Sequence, residues 1–190
     1  MLPGDQRLAS GDSAYPLAVS LDGTKLAYVA EHEGQMQLYV RNFNALEPRV
    51  ISGTTGAVHP FFSPDGQWIG FFASGTLQKV AVTGGATLRI CAVPGVIVGA
   101  SWGPDNTIVW AVRGSGLFRI GEEGGTPQPL TGSGPAAWPE ILPDGRTVLF
   151  TTGVGFPGSA IATISLDGAA RRIVARGSDS RLEGPAVLGT

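Results

Sequence analysis

The sequence predicts an all-β chain assembled from four similar units, and three observations support that prediction. Gly or Pro interrupts nearly every run of helical period, while short β-branched and aromatic runs recur between turn residues. A turn tetrapeptide returns four times, as Ser20-Leu21-Asp22-Gly23, Ser63-Pro64-Asp65-Gly66, Gly103-Pro104-Asp105-Asn106 and Leu142-Pro143-Asp144-Gly145. Its aspartates lie 43, 40 and 39 residues apart, and a near-constant period of this size marks a repeat architecture.

Within each unit the same elements follow in order. Three positions before the aspartate, a first strand holds an apolar residue: Val19, Phe62, Trp102 or Ile141. After the turn a second strand reads Leu26-Ala27-Tyr28-Val29, Ile69-Gly70-Phe71-Phe72, Ile108-Val109-Trp110-Ala111 and Val148-Leu149-Phe150-Thr151. With one residue deleted in the third copy, an aromatic takes the same place each time: Tyr28, Phe71, Trp110 and Phe150. A third strand follows at Leu38-Tyr39-Val40, Leu77-Gln78-Lys79-Val80, Leu117-Phe118-Arg119-Ile120 and Ile161-Ala162-Thr163-Ile164. Gly84-Gly85, Gly124-Gly125 and Asp167-Gly168 then supply the positive-φ residues of a tight turn, before a fourth strand at Leu88-Arg89-Ile90-Cys91 or Arg172-Ile173-Val174. Four short antiparallel strands repeating about every 40 residues are the signature of a β-propeller, whose blades stack face to face around an axis. The predicted divisions are an N-terminal segment 1–14, blades at 15–56, 57–95, 96–134 and 135–180, and a C-terminal segment 181–190 where a fifth blade would begin without its turn motif.

The turn motif has a physical reading that requires no ligand. Pro presets φ at the first corner, the aspartate accepts nearby backbone N–H groups, and Gly returns the chain through the left-handed region, with Asn106 as the next most tolerant residue. Asp22, Asp65, Asp105 and Asp144 are therefore read as turn caps rather than as a ring of metal ligands. Val19, Phe62, Trp102, Ile141 and the four matched aromatics are read as packing between blades.

Composition narrows the partners. Apolar residues make up 43% of the chain and the net charge is only −2, which excludes a disordered chain. Thirteen basic against fifteen acidic residues give no electrostatic footprint for nucleic acid or an anionic membrane. The single cysteine, Cys91, cannot form an internal disulfide and reads as a small buried hydrophobe. Met1-Leu2-Pro3-Gly4-Asp5-Gln6-Arg7 lacks the apolar stretch of a signal peptide, so the chain as given reads as cytoplasmic. The uncharged apolar-rich run near 147–166 holds Gly153, Gly155, Pro157 and Gly158, and reads as two strands and a turn rather than a membrane span.

Catalytic patterns fail on their context. Gly99-Ala100-Ser101-Trp102-Gly103 matches the nucleophile elbow, but both histidines, His32 and His59, lie upstream of Ser101, and Ser101 falls inside a first strand rather than at a strand-to-helix turn. Gly153-Val154-Gly155-Phe156-Pro157-Gly158 has dinucleotide-loop spacing, but a strand follows where a helix should begin. Neither Lys25 nor Lys79, the two lysines, completes a phosphate loop. Glu31-His32-Glu33 beside Gly34 reads as a solvated hairpin tip rather than a metal site. No cofactor and no enzymatic activity are predicted.

A binding surface is predicted from positions that the repeat does not hold constant. His59 is matched by Pro16, Gly99 and Trp138, and Glu140 by Ala18, Phe61 and Ser101. His59, Trp138 and Glu140, on the innermost strands, are the predicted lining of a channel or mouth. Trp68, Trp102, Trp110 and Trp138 define an alternative, a small-ligand or glycan-binding lectin.

Ser-Pro-Asp-Gly followed by an apolar-aromatic strand and a Gly-Gly turn resembles the TolB-like β-propeller repeat, a relative of the WD repeat. The run from 17 to about 131 includes His59-Pro60-Phe61-Phe62-Ser63-Pro64-Asp65-Gly66-Gln67-Trp68 and Gly99-Ala100-Ser101-Trp102-Gly103-Pro104-Asp105. It is similar to the propeller that follows the kinase domain in bacterial eukaryotic-like serine/threonine kinases. The resemblance implies a sensor or protein-interaction module, placed in the periplasm or outside the cell if it belongs to a kinase sensor region. It does not imply kinase activity, because no kinase catalytic motif is present.

A blade buries its two faces only against neighbours, so four blades need something to cover the first and the last. The predicted solution is a homodimer closing an eight-bladed ring; a closed four-bladed ring and a piece of a longer propeller are the alternatives. The predicted function is a non-enzymatic scaffold for protein or small-ligand binding that self-associates. The alternative is a propeller of an enzyme-associated protein, in a kinase sensor region or gating a peptidase.

Overall fold

The computed structural model describes residues 7–8, 16–153, 158–169 and 171–177, and every element among them is a β-strand. The predicted C-terminal segment 181–190 and most of 1–14 lie outside the described residues. The chain divides into two compact units, Met1–Pro94 and Gly95–Thr190, each holding two sheets.

In the first unit, β1 (Arg7–Leu8), β2 (Leu17–Val19), β3 (Lys25–His32), β4 (Gln35–Asn42) and β5 (Arg49–Val50) form blade 1, with β1 and β2 sharing one edge of β3. Blade 2 runs in order β6 (Val58–Phe62), β7 (Trp68–Ala73), β8 (Thr76–Ala81) and β9 (Leu88–Ala92). In the second unit, blade 3 is β10 (Ile97–Trp102), β11 (Thr107–Val112), β12 (Gly116–Gly121) and β13 (Gln128–Pro129). Blade 4 is β14 (Ala136–Ile141), β15 (Thr147–Thr152), β16 (Ala160–Ser165) and β17 (Arg172–Arg176). All pairings are antiparallel and, apart from β1 on β3, join neighbours in sequence, the meander that tight turns at this spacing enforce.

The turn motif acts as its residue types require. Gly23, Gly66, Asn106 and Gly145 all have φ between +64° and +67°. Asp65 accepts the Gln67 N–H at 3.0 Å and the Ser63 hydroxyl at 2.6 Å, and the same hydroxyl accepts the Trp68 N–H at 2.9 Å. Ser20, Asp22, Thr24 and Lys25 repeat this arrangement in blade 1. Where Gly103 and Leu142 replace the serine, threonine hydroxyls substitute, Thr107 on Asp105 at 2.9 Å and Thr147 on Asp144 at 2.6 Å.

These bonds hold the carboxyls of Asp22, Asp65 and Asp144 below the ordinary range, chiefly through the hydroxyls of Ser20, Ser63 and Thr147. A lowered folded-state pKa contributes stability that is complete above the unfolded value, near ~3.9, and is lost as pH falls through the folded value. Thermal melts should therefore fall in temperature as pH drops from about 5 to about 2, and Asp65→Asn should make that decline shallower. A melting temperature flat across that range would contradict the capping role.

Packing within each unit is blade on blade. Ala27, Val29, Leu38 and Val40 of blade 1 meet Phe62, Ile69, Phe71 and Val80 of blade 2 in one buried cluster. Val109, Ala111 and Leu117 of blade 3 meet Ile141, Val148, Phe150 and Ile164 of blade 4 in another. Phe71 and Phe150, two of the matched aromatics, thus face the preceding blade. Tyr28 and Trp110 instead stack on residues paired with them across their own sheets, Tyr39 at 5.4 Å and Phe118 at 5.8 Å between ring centroids. Cys91 is buried as a free thiol, and burial pushes its pKa up.

Arginines tie the blade pairs together at one recurring acceptor site, the residue that follows the third strand of the later blade. Arg49 of blade 1 donates to the carbonyls of Val82 and, at 2.9 Å, Thr83, while Arg119 of blade 3 donates to that of Leu166. The two donors come from different strands, so no sequence alignment of the repeats relates them.

Candidate functional site

The innermost strand of a propeller blade has one free edge, so residues there are the ones a partner can reach. Three of the four blades break the regularity of that strand in the same place. The register of β6 against β7 shifts between Val58 and Phe61, that of β10 against β11 between Ile97 and Ala100, and that of β14 against β15 between Ala137 and Glu140. Each shift is a β-bulge, two residues opposing one. The bulge residue is His59 (φ 49°), Gly99 (φ 110°) or Trp138 (φ 50°), all in the left-handed region.

This refines the sequence reading, in which the repeat leaves this position unconstrained. The fold constrains its backbone, and Gly99 is the residue that meets the constraint without strain. A Cβ on Gly99 would also sit 3.0 Å from the Trp138 Cα, a close approach between the bulges of blades 3 and 4. His59 and Trp138 hold the same conformation with full side chains, at a cost of roughly 1–2 kcal/mol each. The bulges were readable in outline, since a glycine inside a strand pattern signals one.

His59 belongs to the first unit, where it is buried. Trp138 and Glu140 belong to β14 in the second. Trp138 is half-buried and packs on the core between blades 3 and 4. Glu140 pairs with Leu149, outside that core, and its surface is exposed. Enough protein nevertheless surrounds its carboxyl that desolvation holds it above the ordinary glutamate range.

Ser101, the residue of the nucleophile-like pentapeptide, lies in β10 opposite Val109. Its buried hydroxyl accepts the Ile141 N–H of blade 4 at 3.0 Å. That hydroxyl joins two blades, a role the sequence reading did not assign to it. Among the tryptophans of the lectin alternative, Trp102 and Trp110 are buried, and Lys79 lies over the Trp68 ring at 5.2 Å. Only Trp138 presents a half-open indole on an inner strand.

Among the described residues no group of three His, Cys, Asp or Glu side chains is placed to hold a metal ion. A groove of about 360 Å³ on blade 3, beside Arg119, Gly124 and Gln128, has neither acid nor histidine in its lining and involves none of His59, Trp138 and Glu140. Among the described residues, no helix is long and apolar enough to cross a membrane.

No family model matches the sequence, and no curated protein matches it. Solved structures do. A putative TolB from Agrobacterium tumefaciens is 18% identical with a TM-score of 0.72, covering 86% of this chain and 66% of its own. TolB from Acinetobacter baumannii is 22% identical with a TM-score of 0.71, covering 91% of this chain and 46% of its own. The tricorn protease is 13% identical with a TM-score of 0.64, covering 91% of this chain and 18% of its own. The chain therefore spans about half to two thirds of the length of the two TolB structures. At these identities the likeness speaks to architecture, and with the four meandering sheets it establishes that the chain has the fold of a TolB-like β-propeller.

Proposed function

We propose that the chain is a non-enzymatic propeller scaffold that binds a protein or a small ligand along its innermost strands, and that it associates with a second copy of itself. The observation behind the binding role is the pair of strained bulges. Glycine relieves this backbone conformation at position 99, so keeping Trp138 in it sacrifices stability for a half-open indole at a free strand edge, and the buried His59 holds the matching bulge of blade 2. A half-open indole suits a peptide or other mixed polar and apolar ligand, since it offers a broad ring face.

The near balance of charge gives no support to nucleic acid as the partner. A bacterial kinase sensor region, with its periplasmic or extracellular setting, remains part of the proposal. A second reading, a propeller that serves an enzyme located elsewhere, draws support from the tricorn likeness and from the fraction of the matched chains that this one spans.

The test is affinity capture from a bacterial periplasmic extract on the wild-type chain and on His59→Ala/Trp138→Ala, followed by titration of the purified ligand. The reading expects a ligand retained by the wild type and weakened at least about tenfold by the double substitution, in a variant that still melts cooperatively. Equal retention by both would remove the bulges from the binding role. Turnover of a peptide substrate by the chain alone would overturn the non-enzymatic reading.

A further inference from the structure

The inner strands follow a two-sided rule visible inside each unit. The residue three places before the motif aspartate faces the preceding blade: Phe62 and Ile141 are buried in the clusters shared with blades 1 and 3. The residue four places before it faces the following blade. Ala18 packs on the cluster shared with blade 2, and Ser101 accepts the Ile141 N–H of blade 4.

In blade 1 the first of these positions is exposed, and in blade 4 the second. Val19, the counterpart of Phe62 and Ile141, is 53% exposed, as is Leu17 beside it, although Tyr28 behind them is buried. Glu140, the counterpart of Ala18 and Ser101, is exposed on the inner margin of a face whose centre, at Leu149 and Thr151, is buried. The backbone of blade 1 is also poised for a partner. Ser20 donates its N–H to the Lys25 carbonyl at 2.9 Å, so strand alternation directs the Val19 N–H away from β3, to the open edge. Ile141 stands in the same phase, because the following residue, Leu142, donates to the Thr147 carbonyl at 2.8 Å. Its outward N–H is the one that Ser101 accepts.

We propose that blade 4 of one copy and blade 1 of a second copy form a junction along their inner strands, with Val19 of the second copy in the place of Ile141 and the Glu140 carboxylate accepting its N–H as the Ser101 hydroxyl does within the chain. Blade 1 offers exposed apolar side chains and an outward donor, and blade 4 offers a longer, charged acceptor at the position that reaches forward. This rests on the self-association reading above and names its contact surface.

The test is solution mass by light scattering over a dilution series, for the full chain and four variants. Wild type is expected as a dimer. Val19→Asp should raise the dimer dissociation constant by at least about a hundredfold, and Glu140→Ala by about tenfold. Glu140→Gln, which keeps an oxygen acceptor, should stay within about threefold, and Leu21→Asp, at an 85% exposed turn position, should match wild type. A wild type that is monomeric throughout, or that forms open-ended oligomers, overturns self-association into a closed pair and the junction with it. A dimeric wild type with Val19→Asp and Glu140→Ala equally dimeric overturns the junction alone.

Discussion

Trp110→Ala is expected to cost about 3–5 kcal/mol of stability, since Trp110 is the largest of the fully buried side chains among the described residues. Trp110 is 1% exposed and stacks on Phe118, directly opposite across β11 and β12, at an interplanar angle of 20°. Truncation would leave a cavity the size of an indole beside a ring that loses its stacking partner, in a sheet too regular to collapse around it. A drop in melting temperature on the order of 10 °C is the expected readout. Trp110→Phe should recover most of the loss, because it preserves the stacked pair. If Trp110→Ala melted like wild type and impaired ligand binding instead, the indole would be a recognition group and the lectin reading would regain its footing.

Gly116→Ala is expected to rival it, for a different reason. Gly116 opens β12 at φ +89°, and a Cβ there would overlap the Thr131 hydroxyl and lie 2.5 Å from the Gly132 carbonyl oxygen. That same threonine accepts the Leu117 N–H at 2.9 Å and so closes the end of the third strand. The substitution combines backbone strain of about 1–2 kcal/mol with overpacking of about 1–3 kcal/mol against backbone that cannot rotate away. Gly114→Ala provides the control. It sits two residues earlier at φ +76° with open space around it, so it should show the strain alone, about 1 kcal/mol. Equal losses at the two positions, measured by denaturant unfolding, would show that the close packing around Gly116 is unimportant.

How much of this is legible in the sequence follows from how local each cause is. The four blades are legible because the turn motif works through bonds within five residues, from Ser63 to Trp68 or Asp144 to Thr147, so the pattern that makes the turn is the pattern in the text. The strands follow from the same logic, with β16 and β17 near their predicted places. The blade-pairing arginines are illegible, because Arg49 and Arg119 reach across more than 30 residues from unrelated strand positions.

The site is legible only in part, and the bulge is the reason. Trp138 and Glu140 are two residues apart in one strand, which by simple alternation would put them on one face. The inserted residue breaks that alternation: Trp138 packs on the core toward blade 3, while Glu140 pairs with Leu149 outside it. His59 and Trp138 are found at a repeat position that varies in chemistry, yet their shared left-handed backbone emerges only in three dimensions.

Blades 3 and 4 are coupled through their inner strands, and the Ile141 amide reports that coupling most directly. In wild type its hydrogen exchange should be strongly protected although it lies on the free edge of β14, because the Ser101 hydroxyl of blade 3 holds it at 3.0 Å. In Ser101→Ala that amide alone should exchange at least about tenfold faster, with a modest stability loss of about 1–2 kcal/mol. An Ile141 amide that exchanges in wild type as fast as an exposed edge amide, or one that Ser101→Ala leaves unchanged, would contradict the forward-facing rule and every assignment built on it.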